Sequence, residues 1–241
     1  LYDICTLATD IFEHTLSLSP EVKAYLRARG VSDETIRAFR IGYAPDSWDF
    51  LIKNLTQKGF SAHYIEKAGL AIKSSDGSAR HYDRFRSRIM FPITDANSRV
   101  IGFGGRIFTS DSKVQSPESR VEAKYINTPQ TPIYDKSRAL YGFDKAKQEI
   151  RIQNRVVIVE GYMDCVMSHQ AGVANTVAVF LRMKAKTAES VGMKFRNADF
   201  PKSITTDELV AEIKKLNEVQ NMCGIIVQLP LPAHIDRQKV F

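Results

Sequence analysis

From Ile4 to Leu16 the apolar residues recur at helical spacing, so the chain opens with an amphipathic helix over 4–16. Ser19-Pro20 reads as an N-cap and a first-turn proline, predicting a second helix to Arg29 with Gly30 as its stop. Ser32 caps a third, short helix to about Arg40. Residues 47–71 are helical in pieces, broken at Gly59 and Gly69, and 74–78 is a turn. The period then changes. Residues 84–91 alternate as a half-buried strand does, Asp95-Ala96-Asn97-Ser98 is a turn, and 99–108 is the return strand of a hairpin. Residues 109–123 are polar and read as a mobile loop, and a helix is expected near 137–150. Arg155-Val156-Val157-Ile158-Val159 is the short apolar run of a buried parallel strand. It ends in Glu160-Gly161, ahead of a helix from Met163 to Gln170. The alternation continues with a helix at 181–191, a strand near 194–199, a helix at 206–217 with its own N-cap signal in 204–208, and an apolar strand at 223–229. The pattern is that of an α/β protein.

Composition narrows the class. In 241 residues, 44% hydrophobic and 25% charged is a globular balance with room for a sizeable core. No apolar run approaches the ~20 residues of a membrane span, and no signal peptide is visible. The chain begins on Leu1 and stops after Val240-Phe241, and both ends read as cut. Cys5, Cys165 and Cys223 lie far apart without CxxC spacing, which fits a reduced cytoplasmic protein with no disulfide framework or zinc motif. Net charge is +7, and between Arg80 and Lys124 nine basic residues face five acidic ones. Such a stripe suits either a phosphate-backbone binder or an ordinary solvated face.

Four segments carry candidate chemistry. Asp83-Arg84-Phe85-Arg86-Ser87-Arg88 sets three arginines on one strand face, either as forks for phosphate oxygens or as a polar edge strand. Ile101-Gly102-Phe103-Gly104-Gly105-Arg106 opens no helix and is therefore no dinucleotide fingerprint; its glycines let another backbone or a nucleic-acid strand approach. Lys124-Tyr125-Ile126-Asn127-Thr128-Pro129 combines a cation, a ring and an amide, suited to a phosphate and a base, or is an ordinary loop. Val159-Glu160-Gly161-Tyr162-Met163-Asp164 places two acids across a strand-to-helix turn, where both can face Mg²⁺ or both can be solvated.

These segments, with Tyr25-Leu26, Arg29-Gly30 and Ile41-Gly42-Tyr43-Ala44-Pro45, stand in an order that resembles the bacterial DNA primase catalytic core over residues 1–179. The resemblance implies an α+β amino-terminal subdomain over 1–150 that guides template and nucleotides, then the start of a toprim sheet over 151–179. By that carry-over Arg84, Arg88, Arg106, Lys124, Tyr125, Asn127 and Lys136 line the nucleic-acid and nucleotide path. Glu160 is the first catalytic acid and, with Asp164, a ligand of Mg²⁺ or Mn²⁺. Implied partners are single-stranded DNA, nucleoside triphosphates and a replicative helicase. The chemistry is attack of a ribose 3′-hydroxyl on a nucleoside triphosphate, with metal stabilising the attacking and leaving oxygens. The family's amino-terminal zinc-binding domain has no counterpart here, and no Asp-x-Asp pair follows Val179, so the expectation is strand binding without primer synthesis.

From Phe180 the chain resembles a second family. Leu181-Arg182-Met183-Lys184, with Gly224-Ile225-Ile226-Val227-Gln228-Leu229-Pro230-Leu231-Pro232, is similar to the catalytic domain of methylenetetrahydrofolate dehydrogenase/cyclohydrolase, here over 180–241. The resemblance makes Lys184 the catalytic lysine, with Phe180 and Gln228 beside it in the folate site. Burial at a strand end can lower a lysine's pKa into a useful range; the residues alone suit equally a solvated Lys184 and a Gln228 that satisfies a strand end. Phe180 stands where that family has a tyrosine, and the NADP-binding domain has no counterpart, so no folate activity is expected. The two resemblances meet near Val179-Phe180 without a Pro/Gly/Ser linker, as a join of two incomplete reading frames or a genuine fusion would.

Overall fold

A computed structural model describes residues 1–74, 80–109, 123–179, 198–201, 203–219, 225, 227 and 231–240. The chain divides into two units, Leu1–Asp144 and Lys145–Phe241. Both mix helices and strands, as expected.

The first unit opens with α1 (Tyr2–Ser17), whose buried stripe Ile4, Cys5, Ala8, Thr9, Phe12 and Leu16 follows the helical period. Thr9 is satisfied within the helix, its hydroxyl donating to the Cys5 carbonyl at 2.8 Å. α2 (Pro20–Ala28) starts on its proline, but the Ser19 hydroxyl donates back to the Thr15 carbonyl and does not cap the helix. Gly30, at φ +85°, closes it, and the Val31 amide reaches the Leu26 carbonyl. Ser32 does cap α3 (Asp33–Ala38), accepting from the Thr35 amide at 3.1 Å. The pieces expected over 47–71 are α4 (Phe50–Gln57) and α5 (Ala62–Lys67), ended by left-handed Gly59 and Gly69.

The strands β1 (Gly42–Ala44), β4 (Arg88–Thr94), β5 (Val100–Ile107) and β6 (Tyr125–Asn127) form one antiparallel sheet in the order β1-β4-β5-β6. β2 (Ala71–Lys73) and β3 (His81–Asp83) pair separately. α1 lies on β1 so closely that a Cβ at Gly42 would stand 2.5 Å from Phe12 Cβ, and only glycine admits that contact. Phe12 then meets Phe103 of β5 edge-on at 5.5 Å, and Phe85 meets the same ring at 6.3 Å. Asp83 anchors α4 from a distance: its carboxylate accepts the Leu51 and Ile52 amides at 2.7 and 3.0 Å, serving two of the helix's unpaired donors.

Three expectations are corrected in this unit. The strand expected over 84–91 begins only at Arg88, because Ser87 adopts φ +49° and breaks the extended run. Arg84 and Arg86 therefore stand ahead of the strand and do not share a face with Arg88. The glycines of β5 admit the protein's own side chains: a Cβ at Gly102 would meet Thr128 and Tyr134 at 3.2 Å, and one at Gly105 would meet Phe85 at 2.9 Å and Arg88 at 3.0 Å. The helix expected from 137 starts later, as α6 (Phe143–Gln153), because Asp135 turns the chain by accepting from Ser137 and Gly142 adopts φ +79°.

In the second unit β7 (Val157–Val159), α7 (Tyr162–Gln170) and β8 (Thr176–Ala178) form a parallel strand–helix–strand turn. β7 is the parallel strand expected at 155–159, but it is half-buried. It has one partner strand among the described residues, whereas a fully buried parallel strand needs a neighbour on each side. α8 (Thr206–Asn217) opens with the predicted signal as a full capping box: the Glu208 amide donates to Thr205 Oγ1 and the Thr205 amide to Glu208 Oε2. α9 (Arg237–Val240) follows. The expected helix 181–191 lies outside the described residues, as do the loop over 110–122 and most of the strands at 194–199 and 223–229. Cys5 and Cys165 are buried free thiols, and burial raises the Cys5 pKa to about 12. No helix among the described residues is long and apolar enough to cross a membrane.

Candidate nucleic-acid interface

The register of the sheet sorts the candidate residues. Ile89 pairs with Arg106 and Arg106 with Tyr125, so Arg106 and Tyr125 share one face. Arg88 pairs with Ile107 and projects from the other face, towards Met90 and Phe85. Arg88 is 4% exposed, and its guanidinium donates to the Gly105 and Ala123 carbonyls at 3.3 and 3.0 Å. A side chain so placed ties β5 to the approach of β6, and it stands out of reach of an external phosphate. Lys124, next to that tie, is exposed.

On the other face Arg106 sits between two tyrosines. It donates to Tyr125 Oη at 2.8 Å and to Tyr25 Oη of α2 at 2.9 Å, and both rings lie within 6 Å of its guanidinium. Burial, the largest influence, pulls its pKa down, but the hydroxyls of Tyr125 and Tyr25 more than offset this and the net direction is up. Arg29 stands over the Tyr25 ring at 5.3 Å, and Phe108 packs edge-on against Tyr25 and Tyr43.

A second guanidinium–aromatic stack stands beside the turn before β4. Arg86 lies 4.0 Å from the centre of the Trp48 ring and 5.6 Å from that of Tyr82, and it donates to the Asp83 carbonyl. Trp48 is 63% exposed although it is the chain's single tryptophan. The ring also packs edge-on against Tyr82 at 5.4 Å, so a guanidinium and two rings stand together at the surface, as a site for stacked bases and phosphates does. Arg84 joins this turn to β6, its Nε donating to the Asn127 carbonyl at 3.3 Å, and burial pulls its guanidinium below the ordinary arginine value. It stays charged. Lys136 is exposed in the turn after Tyr134.

Of the predicted residues, Arg84, Arg106, Tyr125 and Asn127 are thus brought together around β6, while Arg88 is turned inward. Sequence reasoning missed Tyr25, Arg29, Trp48 and Tyr82 as members, and offered Arg86 only as a possible phosphate fork within its motif. A lone tryptophan after Pro45-Asp46-Ser47 was a usable signal. No local pattern shows Tyr25 meeting Arg106, which is 81 residues away.

The acids lie in the other unit. Glu160 follows β7 and is half-buried, and Asp164 is exposed in the first turn of α7. Asp164 Oδ2 leans over Gly161, 2.9 Å from where a Cβ would stand, but that carboxylate is exposed and can turn aside, and Gly161 is extended at φ −140°. Among the described residues no three His, Cys, Asp or Glu side chains gather as a metal site. Two carboxylates alone do not fit the two-metal centre that the resemblance implies. Phe180, Lys184 and Gln228 lie outside the described residues.

Comparison with known proteins agrees with this division. Residues 11–147 match the family model of the DNA primase catalytic core, N-terminal domain, and residues 143–241 match that of the tetrahydrofolate dehydrogenase/cyclohydrolase catalytic domain. The DNA primase of Deinococcus radiodurans is 45% identical over 178 residues, covering 74% of this chain and 29% of that protein. The chain thus spans under a third of that relative's length. Among solved structures, the E. coli primase catalytic core superposes with a TM-score of 0.70 at 30% identity, over 95% of this chain and 72% of that one. A DnaG primase catalytic domain bound to single-stranded DNA does so with 0.63 at 31% identity, over 94% and 59%. With more than half of its residues matched, the chain belongs to the family of the DNA primase catalytic core, N-terminal domain, and it carries a folate-enzyme catalytic-domain match behind it.

Proposed function

We propose that this chain binds single-stranded DNA as the template-guiding part of a primase. The reading is carried by one observation: guanidinium groups and aromatic rings are interleaved around β6 and the turn before β4. Rings offer bases a sequence-tolerant stacking surface, and cations beside them follow the phosphates. Arg84, Arg86, Arg29 and Lys124 are the phosphate contacts, Trp48 is a stacking ring, and Arg106 organises Tyr25 and Tyr125. A relative's structure with bound single-stranded DNA supports the assignment. Nucleoside triphosphates would approach the same basic surface, and a replicative helicase is the expected partner. Primer synthesis is not part of the reading, since Glu160 and Asp164 alone do not fit a two-metal centre. In a fluorescence-anisotropy titration with a labelled oligonucleotide, Arg84→Ala/Lys124→Ala weakens binding at least tenfold; unchanged affinity sinks the assignment.

The match over residues 143–241 favours a second reading for that part, as a piece of a folate enzyme's catalytic domain around Lys184. Slower proteolysis of that part in the presence of tetrahydrofolate supports it, and an unchanged digestion pattern dismisses it.

A further inference from the structure

We propose that Tyr25 is a strand-binding residue whose hydroxyl is aimed by the buried Arg106 and whose ring carries Arg29; the inference rests on the strand-binding reading above. α2 is held by buried Val22 and Leu26, and Tyr25 stands on the next turn beside them, half-buried. Arg29 follows four residues later, one helical turn on, so the ring and the guanidinium share a face. Phe108 fixes the ring plane edge-on at 5.5 Å. The phenol oxygen accepts from Arg106 Nη2 at 2.9 Å.

That bond determines what the hydroxyl can still do. A phenol both accepts and donates. With Arg106 supplying the bond it accepts, the Tyr25 O–H proton remains for an outside acceptor. Arg106 also donates to Tyr125 Oη at 2.8 Å, so one buried cation holds two phenols. Arg106 itself is only 8% exposed and makes a poor direct phosphate ligand. Exposed Arg29, seated 5.3 Å from the centre of the Tyr25 ring, supplies the charge at the surface. The ligand this arrangement suits is a phosphodiester: a charged guanidinium for one oxygen, a neutral O–H for the next.

The test compares Tyr25→Phe, Arg29→Ala and Arg84→Ala/Lys124→Ala in the full chain, with affinity for a labelled single-stranded oligonucleotide followed across salt and a melting curve for each variant. Tyr25→Phe is expected to weaken binding about tenfold, as loss of a hydrogen bond to a charged group does, with the salt slope kept because no charge leaves, and with a modestly lower melting temperature because buried Arg106 loses an acceptor. Arg29→Ala is expected to flatten the slope by about 0.7, the share of one phosphate contact. Unchanged affinity in Tyr25→Phe, measured where both proteins are folded, or a drop accompanied by a flatter salt slope, as displacement of Arg29 would give, overturns the inference and makes the Tyr25–Arg106 bond a structural tie. If Arg84→Ala/Lys124→Ala also binds like the parent, the strand-binding reading itself has failed; if it weakens binding while Tyr25→Phe does not, only this inference has.

Discussion

Arg88 and Arg106 sit on neighbouring strands and belong to the same basic stripe, yet burial and face give them different work. Arg88 satisfies the buried Gly105 carbonyl and the more exposed Ala123 carbonyl, and removing its guanidinium leaves the buried acceptor without that donor. Arg88→Ala should therefore cost about 2–3 kcal/mol of stability while the salt slope of strand binding stays that of the parent. Urea unfolding and the binding titration check the two halves, and a flatter slope with full stability would return Arg88 to the phosphate path. The sequence displayed the arginines but not their faces, because a single residue, Ser87 at φ +49°, shifts the strand start from 84 to 88. Likewise Arg86 was visible within its motif, but its stack on Trp48 depends on a long-range approach that no local spacing reports.

At the level of elements, helices with caps and glycine stops were readable. α1, α2, α3 and the capping box of α8 each follow from a few adjacent residues. The β4–β5 hairpin was readable from its explicit turn, whereas the alternation over 84–91 predicted a half-buried strand and β4 is buried from Arg88 to Ile93. The three-residue strands β1, β2, β3 and β6 are too short to show a period, and they exist through pairing. β3 has a second task, since its Asp83 holds the start of α4. Burial, the largest influence, raises the Asp83 pKa against the two amide bonds that lower it. A raised carboxyl contributes stability that is full below its unfolded value and is lost as pH rises through the folded one. The melting-temperature advantage of the parent over Asp83→Asn should accordingly be larger near pH 4 than at pH 7. An advantage that grows with pH would mean that the amide bonds outweigh burial.

For the whole molecule, the α/β class and the primase resemblance were legible because ordered motifs run through the first unit. The second unit was less so. Helix–strand alternation from α6 onward suits either resemblance, and the folate-family match begins at residue 143, ahead of the join expected near Val179-Phe180. The candidate interface is built from residues within Leu1–Asp144. The most direct measurement is the affinity of the full chain for a single-stranded oligonucleotide between about 50 and 200 mM salt. Four phosphate contacts, by Arg29, Arg84, Arg86 and Lys124, predict a log–log slope of about −3. No saturable binding at low salt, or an affinity indifferent to salt, would contradict the account.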